Sequence, residues 1–257
     1  MYSDINNFDS GGPYMARIKT FDWSILDRNS LVNMLWQIYP EIVDKKLTPA
    51  KFHLILSKYI KKFLPIRISK KFDETVEFGW VYIGGTYYAD WDQENKKSIE
   101  ILLVYNPFEK YVTVNRSKFK RMCRTFADVV LHEIIHMRQY RRRNFKILPD
   151  YESTAQLNEL RKEQSYLGCT DEIDAYSFNI ACELMDRFKN NKKEVIQYIG
   201  KKHRRGPLLS HSLRSYLRAF EYNHNHPIIK RLKTRIIRYL PNAELGKPYK
   251  TVDWINR

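Results

Sequence analysis

From Ser117 to Arg141 the apolar side chains of Phe119, Met122, Cys123, Phe126, Val130, Ile134 and Met137 return at spacings of three and four, which predicts one long helix with a buried face. Inside it stands His132-Glu133-Ile134-Ile135-His136. Four residues make one helical turn plus about 40°, so both imidazoles project to the same side with Glu133 beside them. Val129-Val130-Leu131 before the motif and Ile134-Ile135 within it make the segment too apolar to lie free on a surface. Burying two imidazoles and a carboxylate without partners is costly, and a shared metal ion removes that cost. The expected ion is a single Zn2+ bound by His132 and His136, with Glu133 as the general base that takes a proton from an activated water and passes it to a leaving amine.

Catalytic zinc usually has three protein ligands and an open fourth position. The residues after His136, Met137-Arg138-Gln139-Tyr140-Arg141-Arg142, contain no Gly-x-x-His, so a third histidine at the metzincin spacing is excluded. Downstream, Thr170-Asp171-Glu172-Ile173-Asp174-Ala175-Tyr176 opens a second amphipathic helix whose core stripe is Ile173, Tyr176, Ile180 and Leu184. Glu172 lies one residue off that stripe in the first turn, and Ala175 is small enough to let this helix pack closely on the first. Glu172 is the favoured third ligand over Glu183, Asp174 or a late histidine. An acidic residue favouring the helix dipole is the alternative reading of Glu172.

HEIIHMRQY, followed 36 residues after His136 by EIDAYSFNIACEL, resembles the gluzincin branch of zinc metallopeptidases, such as ImmA/IrrE-like peptidases and the minimal zincins of bacteria and phages. There HExxH on one helix is completed by the Glu of an E-x-x-A pattern on the next. The resemblance covers roughly residues 98–185. It implies zinc ligation by His132, His136 and Glu172, catalysis by Glu133, a protein or peptide substrate, and a strand before the HExxH helix that forms the sheet edge along which substrate lies. Tyr176 stands where thermolysin-type relatives place an Asp, so support for a ligand histidine must come from elsewhere. Asp128, one turn before His132, and Asp174 are candidates for that support. His211 and Tyr216, with His224 and His226, are candidate oxyanion donors. His224-Asn225-His226 reads either as a second metal site or, before Pro227, as a polar turn.

The rest of the chain is expected to fold around this core. Helical patterns at Ser30 to Tyr39, stopped by Pro40, and at about Thr48 to Phe63 form a lead-in over residues 1–64, after a loose arm containing Gly11-Gly12-Pro13. Between Leu64 and Val114 the period shortens to two, predicting three to five strands: Pro65 to Ser69, Val76 to Ala89 around a Gly84-Gly85 bulge or turn, Ser98 to Tyr105, and Tyr111 to Val114. Further helices are expected near 154–164, 170–190, 208–222 and 227–240. The fold class is α+β and zincin-like: a small mixed sheet packed on the metal-binding helix, with helical additions at both ends. Residues 65–200 would be the peptidase core and 201–257 a basic helical extension, in one continuous globular unit.

Charge raises a second functional class. The chain has 45 Lys and Arg against 29 Asp and Glu, a net +16, and residues 201–257 alone hold 14 basic and 3 acidic side chains. Such a region suits nucleic acid or another polyanion. The candidate contacts are Arg141, Arg142 and Arg143 beyond the HExxH helix, and Lys201, Lys202, Arg204 and Arg205 in the tail. The alternative function is therefore a nucleic-acid-associated protein with a structural or vestigial metal site. The sequence has no run of about 18 apolar residues, which argues against a membrane span. The polar N-terminus does not read as a signal peptide, and Cys123, Cys169 and Cys182 form no CxxC pair. A cytoplasmic, reducing setting is expected, and a virion-packaged phage protein would look alike.

Overall fold

The computed structural model of the chain describes residues 21–148, 158–206 and 208–243, so the Gly11-Gly12-Pro13 arm lies outside the described residues. The architecture is α+β. Helices α1 (Arg28–Trp36), α2 (Tyr39–Ile42) and α3 (Pro49–Ile60) lead into three paired strands, β2 (Arg67–Phe72), β3 (Tyr82–Tyr87) and β4 (Ile99–Tyr105), with a short α4 (Ala89–Gln93) before β4. A separate antiparallel pair joins β1 (Lys46–Leu47) to β5 (Val112–Thr113). Then come α5 (Arg116–Arg142), α6 (Glu159–Gly168), α7 (Thr170–Arg187), α8 (Lys192–Gly200), α9 (His211–Ala219) and α10 (Pro227–Tyr239). No described helix is long and apolar enough to cross a membrane.

Local chemistry accounts for the boundaries. Asn115 caps α5 by accepting the Lys118 N–H, and Thr48 caps α3 by accepting the Lys51 N–H, with Pro49 at the first helical position, where a missing N–H costs nothing. Pro40, second in α2, likewise falls in a first turn whose N–H groups have no partner within the helix, so it opens a helix rather than only ending the preceding one. Cys169 alone separates α6 from α7. Helix α8 was not expected. It buries only Val195 and Ile199, one turn apart, too short an apolar stripe to stand out from its polar neighbours.

In the three-stranded sheet β4 is central, parallel to β2 and antiparallel to β3. This corrects the expected edge: the last strand of the sheet before the HExxH helix, β4, lies in the middle, and β3 is the edge strand packed on α5. The Gly84-Gly85 pair is neither bulge nor turn. Both residues are in ladder register, opposite Leu102 and Ile101. The glycine is required by close approach: a Cβ on Gly85 would lie 2.6 Å from Glu133 Oε1 and 2.7 Å from Val129 Cγ1.

One buried core runs through the described residues, joining Leu31 and Leu35 of α1, Ile101 and Leu103 of β4, Val130 and Ile134 of α5, Phe178 of α7 and Leu232 of α10. It draws on all three stretches distinguished by sequence. Beneath it, Arg28, 2% exposed, grips two carboxylates at once: Asp128 of α5 at 2.5 and 2.9 Å, and Asp186 of α7 at 2.8 Å through two nitrogens. That guanidinium ties together the two helices that carry the candidate ligands.

Candidate metal centre

Helix α5 presents His132 and His136 one turn apart, and α7 presents Glu172 in its first turn; all three side chains are buried. His132 Nε2 and His136 Nε2 are 3.1 Å apart, and Glu172 comes within 3.7 Å of the former and 3.4 Å of the latter. A tetrahedral ion about 2.0–2.1 Å from each ligand would hold the ligand atoms about 3.3 Å apart, so these separations suit one small cation. Glu172 Oε2 is buried and has no hydrogen-bond partner, as expected of an atom aimed at an ion. This is the one group of three potential ligands found among the described residues, and it could hold a metal ion.

The electrostatics favour positive charge at this point. Burial pushes the His136 imidazole toward its neutral form, yet Glu172 and Glu133 beside it outweigh burial and raise its pKa to about 9. Burial likewise lifts the Glu172 carboxyl, but the two imidazoles overcome it and hold the group at about 2. Glu133 behaves differently: burial, with Glu172 nearby, raises it above the usual carboxylate range despite the two histidines and the neighbouring Tyr87 N–H. A buried carboxylate with raised proton affinity is suited to accept a proton during a reaction.

Glu133 is held between its own helix and the backbone of β3. Gly85→Ala would force a methyl into its carboxylate and into Val129, whose branched side chain on a helix cannot turn aside. The expected result is a loss of about 1–3 kcal/mol of stability, seen as a lowered denaturation midpoint, from overpacking alone. An unchanged midpoint would show that β3 and α5 are less tightly apposed.

Comparison with protein-family models, with curated proteins and with solved structures returned no match.

The supporting residues differ from those expected. Asp128 does not reach a ligand histidine; it is engaged by Arg28. Asp174 pairs with Arg235 at 3.2 Å, and Glu183, a rival third ligand, binds the backbone N–H and hydroxyl of Ser212. Beside the histidines stand two carboxamides: Gln139 Oε1 lies 3.0 Å from His136 Nδ1, and the Asn179 amide 3.2 Å from His132 Nδ1. Spacing offered a signal for both. Gln139 follows His136 by three residues, and Asn179 follows Glu172 by seven, so each shares its ligand's helix face.

Among the oxyanion candidates, His211 is exposed at the start of α9. Tyr216 is fully buried, its ring 5.7 Å from that of Tyr176 and its hydroxyl unpartnered, so substrate arriving from solvent would not meet it. Tyr176 stacks edge-on against His132 at 4.8 Å. Tyr166, which the sequence did not single out, is 45% exposed and sets its ring edge-on to that of Tyr176 at 6.4 Å, with partial burial and the nearby Glu172 raising its pKa. It comes from a different helix, and no spacing rule links it to the motif.

His224 and His226 form a polar turn. His224 Nε2 meets the His203 carbonyl at 2.7 Å, and His226 Nδ1 accepts the Ile228 N–H. Of the basic candidates, Arg141 is bound bidentately to buried Asp92, and Arg143 pairs with buried Asp171 over the face of Tyr140. Arg142, Lys201, Lys202, Arg204 and Arg205 are exposed.

Proposed function

We propose that the chain is a zinc-dependent metallopeptidase of the gluzincin type. The observation that carries this reading is the buried His132, His136 and Glu172 group at mutual separations suited to one tetrahedral ion, with Glu133 beside it. Two imidazoles and one carboxylate are a ligand set that zinc accepts, with a fourth position left for substrate or water. Zinc when bound supplies Lewis acidity, polarising the scissile carbonyl and acidifying water.

The chain's own residues do the rest. Glu133 accepts the proton of the attacking water and returns it to the departing amine, its carboxylate confined against the Gly85 backbone of β3. Edge strand β3 is paired only with β4 among the described residues, which favours an extended peptide that adds to its free edge by main-chain hydrogen bonds. Gly85 brings that strand against Glu133, so a peptide bound there would lie close to the base.

The test is cleavage of a peptide library by the full chain. Activity should disappear with a chelator and return with stoichiometric zinc; cleavage that survives chelation would contradict the proposal.

A further inference from the structure

A histidine that binds a metal through Nε2 must carry its remaining proton on Nδ1, and the partner of that N–H sets the ring's orientation. Gln139 Nε2 donates to the Asp171 carbonyl at 3.2 Å. A carbonyl only accepts, so it fixes which end of the amide is which: Oε1 must face His136 Nδ1, and Nδ1 must be the protonated nitrogen. His136 is thereby held with its Nε2 directed at Glu172 and His132. Asp171 adjoins Glu172 and is itself held by Arg143, just past the end of α5, so one chain of contacts sets both a histidine and the carboxylate that faces it.

Asn179 is arranged differently. Its Nδ2 lies 3.2 Å from His132 Nδ1, while its Oδ1 is buried and unpartnered. In that orientation the amide donates to Nδ1, and His132 carries its proton on Nε2. A half-turn of the amide exchanges oxygen for nitrogen in nearly the same space, so Oδ1 can accept from a protonated Nδ1. A carboxylate could serve only the second arrangement.

On the zinc reading above, we infer that Gln139 and Asn179 are the positioning residues of the two ligand histidines: Gln139 permanently presets His136, and Asn179 turns its amide as His132 takes up the ion. Two neutral carboxamides thus occupy the role that the sequence had assigned to aspartates.

The test is a zinc dissociation constant for the full chain, measured by competition with a chromophoric chelator, for wild type, Gln139→Leu, Asn179→Leu and Asn179→Asp. Each leucine variant should bind zinc about 10–100-fold more weakly, and Asn179→Asp at least as tightly as wild type. Folded leucine variants with wild-type affinity would overturn the inference while leaving the zinc reading intact; a wild type that binds no zinc would overturn both. Nitrogen NMR of the zinc-loaded wild type gives a readout independent of the variants' folding. Both ligand histidines should be Nδ1–H tautomers, and an Nε2–H signal from either would contradict the assignment.

Discussion

Glu133→Gln should retain zinc and lose about 10²–10⁴-fold in kcat, the usual contribution of a general base. The two side chains have nearly the same shape, so glutamine fits between α5 and Gly85. What it cannot do is take a proton. Glu133 is outside the group formed by His132, His136 and Glu172, so the metal should stay bound. A variant within about tenfold of wild type would remove Glu133 from the chemistry; one that lost zinc would make it a ligand.

The largest stability effect is expected at Arg28→Met. The substitution fills much of the same volume but leaves Asp128 and Asp186 facing each other without the cation that bridges them. Breaking a buried ion pair from one side costs about 3–5 kcal/mol, because the abandoned charge stays out of water. Arg124, 3.5 Å from Asp186, offsets part of this. Melting should fall by roughly 10 °C for a domain of this size. Replacing Asp128 and Asp186 by leucine as well should recover most of the loss, since an apolar substitute for the whole cluster carries no stranded charge. Thermal denaturation of the single and triple variants checks both steps, and an unperturbed single variant would show that the cluster does not hold α5 to α7.

The parts of the fold legible in the sequence are those that depend on periodicity. The HExxH helix, expected at 117–141, spans Arg116–Arg142, and the Glu172 helix begins at Thr170 as expected. The apolar run before Asn106 is strand β4, though its neighbours could not be read from it. Strand order depends on which faces meet, so β3 emerged as the edge only in three dimensions. Gly84-Gly85 misled for the same reason: its cause is a side chain on a helix some 45 residues later, and a glycine pair alone looks like a turn. Asp128 was a reasonable partner for His132 by helix spacing. Arg28, 100 residues away, claims it instead. Arg141 and Arg143 read as free positive charge until Asp92 and Asp171 were found against them. Charge in a sequence counts side chains; only the fold shows which of them are already neutralised.

Elemental analysis of the full chain, purified without added metal and dialysed against zinc-buffered solution at neutral pH, tests the central claim most directly. About one zinc per chain should be found in the wild type and in Glu133→Gln, and little in His132→Ala or Glu172→Ala. A wild type without zinc, or a His132→Ala variant that keeps it, would contradict the account.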